Sequence, residues 1–242
     1  MDAAAERAII LQENMTMHPL LLAIRNSPSA YLPEPSLLAF RSFRNGYLHQ
    51  SAMEGGAVDL GYDGREFHRW ICTRFQQDYA AAIAETTIVA SFYFSEESAF
   101  KEYFNLLEEF LQTGACEGIQ SKFQIEKRTL LETLKDIREK PALYVGHGTF
   151  LGCCSYLMGL ERYCQDSGLP VGEDRAFFRE FQRWVESEKS RSTHPRPWFK
   201  VIQFWSGGID WGSGPKSGAF SLLYAWLDQF SEISGKAGLF SI

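Results

Sequence analysis

Ile137-Arg-Glu-Lys-Pro-Ala-Leu-Tyr144 is the stretch that decides the fold, because a related stretch lies 113 residues earlier as Ile24-Arg-Asn-Ser-Pro-Ser-Ala-Tyr31. In both stretches an apolar helix is predicted to end before the proline, since proline pushes the preceding residue out of the helical region. A serine or threonine follows at Ser36 or Thr149, where it is a suitable N-cap for a second helix. The chain therefore carries the same helix-turn-helix pattern twice.

Two further blocks return in the same order. Glu66-Phe-His-Arg-Trp-Ile71 reappears 114 residues later as Glu180-Phe-Gln-Arg-Trp-Val185, and the apolar pattern of residues 99–110 reappears 120 residues later at 219–230. Offsets that drift only at loops predict a tandem duplication of a unit of about 110 residues.

The repeats divide the chain of 242 residues into four segments. We expect an N-terminal helix over 1–17, a first copy over 18–113, a linker over 114–129 and a second copy over 130–242. Residues shared by both copies are expected to serve the fold, whereas residues present in one copy are better candidates for a specific function.

The spacing of apolar residues in each copy is typical of helices. One stretch per copy, residues 86–94 and 198–205, is rich in β-branched and aromatic residues and is consistent with either a short strand or a buried helix. The predicted fold class is therefore mainly α, a tandem of helical units with at most one short strand each; the alternative is α+β.

Composition indicates a folded cytoplasmic protein. Hydrophobic residues make up 45% of the chain and charged residues only 22%, which argues against disorder. The first residues do not resemble a signal peptide, and no stretch is long and apolar enough to predict a membrane span. The five cysteines form no disulfide framework, so reduced thiols are expected.

Charge is distributed unevenly along the chain. Residues 1–120 have a net charge of −8 and residues 121–242 a net charge of +2. An acidic surface repels phosphate backbones, so nucleic acid is not an expected partner; the same surface attracts a basic protein. The candidate partner-binding residues are the acids of the last helix of the first copy: Glu96, Glu97, Glu102, Glu108 and Glu109.

The sequence contains no complete motif for catalysis, cofactor binding or metal binding. The glycine-rich segment 207–218 lacks the Gly-Lys-Ser/Thr succession of a phosphate-binding loop, because Pro215 intervenes. The adjacent Cys153 and Cys154 lack the spacing that lets two thiolates face one ion, and they read as buried apolar residues. No catalytic, cofactor-binding or metal-ligating residue is predicted. The Glu66/Arg69 and Glu180/Arg183 pairs are interpreted as salt bridges on a helix surface or between helices.

The Ile-Arg-x-x-Pro-x-x-Tyr segment, the Phe-x-x-Trp helix and the closing Leu-Leu-Glu-Glu-Phe helix resemble a little-characterised group of small bacterial proteins. The resemblance covers roughly residues 18–113 and 130–233. Members look like single or tandem copies of this unit and resemble immunity proteins of polymorphic or contact-dependent toxin systems. The resemblance implies a cognate toxin as partner and carries over no catalytic residues.

The sequence thus favours a non-catalytic cytoplasmic binding protein that occludes the active site of a basic toxin. Two alternatives stay open. One is an enzyme with a site in the cleft between the copies, formed by the pairs Tyr31/Tyr144, Arg25/Arg138 and Glu66/Glu180. The other is a scaffold that binds a peptide. The sequence leaves the toxin and the oligomeric state undefined.

Overall fold

The computed structural model describes residues 17–56, 58–81, 83–113, 128–145, 149–190, 196–207 and 218–236. This part of the chain contains α-helices, two short 3-10 segments and one π-helical turn, and none of it is a strand. The eleven α-helices of these residues are α1 Pro19–Asn26, α2 Leu37–Met53, α3 Gly64–Arg74, α4 Glu85–Ser91, α5 Glu96–Gln112, α6 Leu130–Glu139, α7 Pro141–Val145, α8 Phe150–Asp166, α9 Glu173–Trp184, α10 Trp198–Trp205 and α11 Gly218–Ile233.

The chain divides into two compact units. The first consists of Met1–Arg41 and Gly55–Gln124, and the second of Ser42–Glu54 and Ile125–Ile242. Helix α2 therefore contributes its first residues to the first unit and the rest to the second. The predicted N-terminal helix over 1–17 lies outside the described residues except for its last residue, and the predicted linker over 114–129 except for its last two.

The predicted helix ends are confirmed. Helix α1 ends at Asn26 and helix α6 at Glu139, each shortly before its proline. At the start of α2 the Ser36 hydroxyl accepts a hydrogen bond from the N–H of Ala39 at 3.1 Å, and Thr149 caps α8 through the N–H of Gly152 at 3.0 Å. Each cap satisfies a donor that the first helical turn leaves free.

Both stretches of ambiguous character are helical except for residues 92–94, so the mainly α prediction is confirmed. Residues 85–91 form α4 and residues 198–205 form α10. In α10, Trp198, Val201 and Ile202 are buried whereas Phe204 is exposed, which is the spacing of a helix with one apolar face. The α+β alternative is not found in the described residues.

The core of the first unit is aromatic. Phe67 lies at its centre, with ring centroids 5.5 Å from Tyr103 and 5.2 Å from Phe110, and Phe40 lies 5.3 Å from Tyr103. These rings come from α2, α3 and α5 and meet mostly edge to face or at a tilt, the arrangements that aromatic quadrupoles favour. They hold α5 with its polar side toward solvent.

The core of the second unit follows the same plan. Phe181 of α9 contacts Trp198 and Phe230 at centroid distances of 6.4 and 5.9 Å. The buried Tyr224 hydroxyl donates to the carbonyl oxygen of Leu134 at 2.9 Å, which joins α11 to α6 without leaving a polar group unpaired.

The second unit also contains a close crossing between the Ser42–Glu54 segment and α8. A Cβ atom on Gly46 would lie 2.1 Å from the carbonyl oxygen of Tyr156, and one on Gly159 would lie 2.0 Å from that of Phe43. Only glycine allows backbones to approach so closely. Gly46 and Gly159 are 113 residues apart, and so are Phe43 and Tyr156, so the two contacts are equivalent under the repeat found in the sequence. The predicted duplication would explain this symmetry; the duplication itself stays a prediction.

Helix lengths bear on membranes as well. Within the described ranges, the structure has no helix that combines the length and apolar character needed to cross a bilayer.

Candidate protein-binding surface

An aromatic ridge lies exposed on the first unit where α4 ends. We give this name to Phe75, Phe92 and Phe94. Phe94 is fully exposed and Phe92 is 49% exposed, while the rings of Phe75 and Phe92 lie 4.6 Å apart. Exposing so much aromatic surface in one place is unfavourable in water, so such a surface commonly marks a binding site.

Helix α5 begins directly after the ridge and places carboxylates beside it. The Ser95 hydroxyl caps the helix by accepting from the N–H of Ser98 at 3.1 Å. Glu96 and Glu97 occupy the first turn, where negative charge is favoured by the helix dipole. Apolar anchors flanked by acidic groups therefore lie within one short stretch of chain.

All five acids predicted to bind a partner lie on α5, and each already has a contact within the first unit. Glu96 accepts from the N–H of Leu37 at 3.3 Å, Glu97 pairs with Lys101 at 3.3 Å, Glu102 accepts from Asn105 at 3.1 Å, Glu108 pairs with Arg25 at 3.0 Å and Glu109 pairs with Arg74 at 3.4 Å.

These contacts divide the acids into two groups. Glu108 and Glu109 hold α1 and α3 against α5, and Glu96 caps α2, so these three have roles within the fold. Within the described residues, the other two acids join no other helix: Glu97 pairs with Lys101 of α5, with both side chains 71–73% exposed, and Glu102 contacts Asn105 of α5 and Tyr93. The described residues of the first unit still carry eleven carboxylates against six basic side chains, so its field is acidic despite the pairing.

Sequence reasoning did not identify the aromatic ridge. The signal is the run Phe92-Tyr-Phe94 directly before Ser-Glu-Glu, but the apolar pattern assigns this run to a short strand or a buried helix. Burial of Tyr93 and its contact with Glu102 raise the pKa of Tyr93, whereas its two neighbours face solvent. The spacing of apolar residues along the chain could not show which of these three consecutive aromatic side chains is the least exposed.

Four residues of the enzyme alternative, Arg25, Arg138, Glu66 and Tyr144, have partners within their own units. Arg25 pairs with Glu108, and Arg138 forms two hydrogen bonds of 3.1 Å with Asp228. Arg25 thus connects α1 to α5, and Arg138 connects α6 to α11. The predicted Glu66–Arg69 salt bridge is confirmed, with two N–O distances of 2.5 and 2.7 Å. The salt bridge predicted between Glu180 and Arg183 is not found among the described residues, although both lie on α9.

Tyr144 belongs to a polar cluster of the second unit that the sequence did not reveal. Its hydroxyl donates to Asp136 at 2.8 Å and accepts from Arg128 at 3.1 Å. The Tyr144 ring lies 5.8 Å from His49, whose Nδ1 is hydrogen-bonded to the buried Tyr156 hydroxyl. Four of the five groups lie within residues 128–156, whereas His49 comes from a distant part of the chain, so no sequence motif indicates the cluster.

Electrostatics keep this cluster neutral at its centre. Burial lowers the pKa of His49, and the positive charge of Arg128 lowers it further. Burial also raises the pKa of the Tyr156 hydroxyl, so the tyrosine stays protonated. The charged Arg128–Asp136 pair forms the outer part of the cluster.

The cysteines of α8 are buried as small apolar residues. Burial raises the pKa of the Cys153 thiol to about 12 and that of Cys154 well above its usual value. Thiols held protonated in this way are poor nucleophiles and poor metal ligands. Among the described residues, no group of three or more His, Cys, Asp or Glu side chains has the arrangement of a metal site. The glycine-rich segment 207–218 lies outside the described residues except for its two ends.

Comparison with known proteins gave no further guide to this surface. No protein-family model matches the chain, and no curated protein and no solved structure is significantly similar to it.

Proposed function

We propose that this chain is a non-catalytic binding protein that docks a basic protein partner on the first unit, through the aromatic ridge and the adjacent acids of α5. The observation that carries the proposal is the fully exposed Phe94, two residues before Glu96 and Glu97. Interfaces draw most of their affinity from a few aromatic anchors, and surrounding charges select the partner.

The kind of partner follows from the resemblance described above. A cytoplasmic immunity protein binds a toxin that would otherwise damage its own cell, and a basic toxin matches the acidic first unit. Charge attraction would accelerate encounter, and burial of Phe92 and Phe94 would slow dissociation. Covering the active site of the toxin needs no catalytic group on this chain.

The first experiment identifies the partner. The tagged chain is expressed in a bacterium that carries its native neighbouring genes, and the co-purifying proteins are identified by mass spectrometry. We expect a stoichiometric basic protein whose expression alone stops growth and whose co-expression with this chain restores it. A partner without toxicity would contradict the immunity role.

The surface is then tested on that partner with matched variants. We expect Phe94→Ala to raise Kd about tenfold or more, which is typical of an interface anchor. Leu143→Ala, an exposed apolar truncation in the second unit, should leave Kd unchanged. Equal effects of the two variants would show that the aromatic ridge is not the interface.

Charge reversal tests the acidic component. Glu97→Lys removes an exposed acid without breaking a contact between helices, unlike reversal of Glu96, Glu108 or Glu109. We expect the association rate to fall several-fold at low salt, with little change at high salt. The control is Glu173→Lys, which reverses another first-turn glutamate in the second unit.

A further inference from the structure

Lys189 occupies an aromatic corner in the second unit. Its Nζ lies 4.5 Å from the ring centroid of Trp184 and 5.6 Å from that of Trp226. The two indole rings are almost perpendicular, at 86°, with centroids 6.4 Å apart. Two aromatic faces that meet at a right angle present their negative quadrupoles to one point, which is how proteins bind ammonium groups.

The core of the second unit supports both walls of the corner. Trp184 packs on Phe230 with centroids 5.6 Å apart, and both tryptophans lie against the core of the second unit. Gln229, three residues after Trp226 on α11, accepts from the Lys189 ammonium at 3.1 Å. Within the part of the chain that the structure describes, no carboxylate pairs with Lys189, so the cation is held by rings and one amide oxygen.

The backbone brings Lys189 to this corner in an unusual way. Helix α9 ends at Trp184 and continues as a π-helical turn over Val185–Lys189, a feature that often accompanies functional sites. The Trp205 indole N–H donates to the carbonyl oxygen of Lys189 at 2.8 Å, which fixes the end of the turn. The lysine is therefore tethered by its own backbone and not by a salt bridge.

The first copy has no equivalent corner. Trp184 corresponds to Trp70, but Leu106 stands in the position of Trp226. The cation over Trp70 is Arg74, at 5.9 Å, and it also pairs with the Glu109 carboxylate. The second indole ring is thus specific to the second copy. Because the first copy packs with a leucine at this position, packing alone does not require a tryptophan there.

We propose that Trp184 and Trp226, with Gln229, form a binding site for an alkylammonium group, and that Lys189 is its resident occupant. An incoming quaternary ammonium or lysine side chain displaces Lys189, which then turns to solvent. The site is independent of the aromatic ridge and of the proposed basic partner, since all its residues lie in the second unit.

Choline tests the site, because its trimethylammonium group has a neutral isostere in 3,3-dimethyl-1-butanol. Tryptophan fluorescence and the indole N–H resonances are followed during titration. We expect Lys189→Ala to bind choline roughly tenfold more tightly than the unchanged protein does, because the tethered competitor is gone. The isostere should bind neither protein measurably.

Matched variants complete the test. In the Lys189→Ala background, Trp226→Leu installs the residue of the first copy and should abolish choline binding. Lys236→Ala removes a lysine that lies 5.2 Å from the single ring of Phe177 and should create no site. Thermal unfolding identifies any variant that fails to fold; Lys189→Met, which keeps the apolar stem, replaces Lys189→Ala in that case.

Two small probes distinguish the source of the ammonium group. Tighter binding of n-butylammonium than of choline points to a lysine side chain of a protein, and the reverse points to a quaternary ammonium metabolite. Equal choline binding by the unchanged protein and Lys189→Ala would overturn the proposal, as would equal binding of choline and its isostere.

Discussion

At the residue scale, two glycines allow α2 and α8 to approach each other closely in the second unit. Gly46 and Gly159 lie where a Cβ would overlap a carbonyl oxygen of the crossing segment. The atoms that a Cβ would meet belong to the backbone and cannot rotate away as the end of a flexible side chain can. A larger residue at either position would therefore force the two helices apart. The requirement is steric, because neither glycine has a positive φ.

We therefore expect Gly46→Ala and Gly159→Ala each to lower the free energy of unfolding by about 2–3 kcal/mol, the effect of overpacking at a tight contact. Urea denaturation followed by circular dichroism measures the loss. Gly64→Ala is the control, since its Cβ would meet nothing within 4 Å. A control as destabilised as the two variants would show that loss of glycine itself, and not the crossing, is responsible.

At the same scale, His49 is expected to make the stability of the protein depend on pH. Because its pKa is lowered below 6.5 in the folded protein, the unfolded chain binds a proton more readily. The contribution of His49 to stability is present above pH 6.5 and is lost as pH falls through the folded pKa. We expect His49→Gln to flatten the fall in unfolding free energy just below pH 6.5, measured by urea denaturation at a series of pH values. An unchanged pH profile would contradict this account.

At the scale of elements, one ion pair in the first unit joins α1 to α5, and one in the second unit joins α6 to α11. Arg25 of α1 makes a single 3.0 Å contact with Glu108, which is half exposed. Arg138 of α6 holds both oxygens of Asp228 and is less exposed. A planar guanidinium that engages both carboxylate oxygens loses less side-chain entropy for each bond formed.

Double-mutant cycles compare these pairs. We expect a coupling energy of about 1 kcal/mol for Arg138–Asp228 and less than about 0.5 kcal/mol for Arg25–Glu108, because solvent screens the more exposed pair. Alanine is substituted singly and together at each pair, and urea denaturation gives the four free energies. A larger coupling for Arg25–Glu108 would contradict this account.

At the scale of the whole molecule, the compact units do not follow the copies predicted from the sequence. Ser42–Glu54 lies in the predicted first copy but belongs to the second unit by contacts, and Met53 lies in the core of that unit. A chain cut within 114–129 therefore separates the second unit from one of its own segments.

We expect a fragment of residues 125–242 to be less stable by itself than with a peptide of residues 37–54. Adding the peptide should raise the helical circular dichroism signal and the urea midpoint of the fragment. A peptide with Gly46→Leu is the control, since its side chain would meet the carbonyl of Tyr156. Equal stability with and without the peptide would show that the second copy folds alone.

The sequence by itself determined the helical character and most helix ends. Prolines 28 and 141, the caps Ser36 and Thr149, and the helical spacing of apolar residues act through neighbours in the chain, so a linear pattern is sufficient to predict them. The five acids of α5 were also found from the sequence, because charge is visible without a fold. Residues 86–94 and 198–205 were ambiguous, since short apolar runs satisfy both periods.

Only the tertiary structure decided which side chains face solvent and which meet. It exposed Phe94 and brought His49 beside Tyr144 and Tyr156. It also placed Lys189 between Trp184 and Trp226, and it assigned three acids of α5 to contacts with other helices. Each of these results depends on residues far apart in the chain or on the rotation of a helix about its axis. The composition and spacing of a sequence specify neither the contacts between distant residues nor the rotation of a helix, because long-range packing determines both.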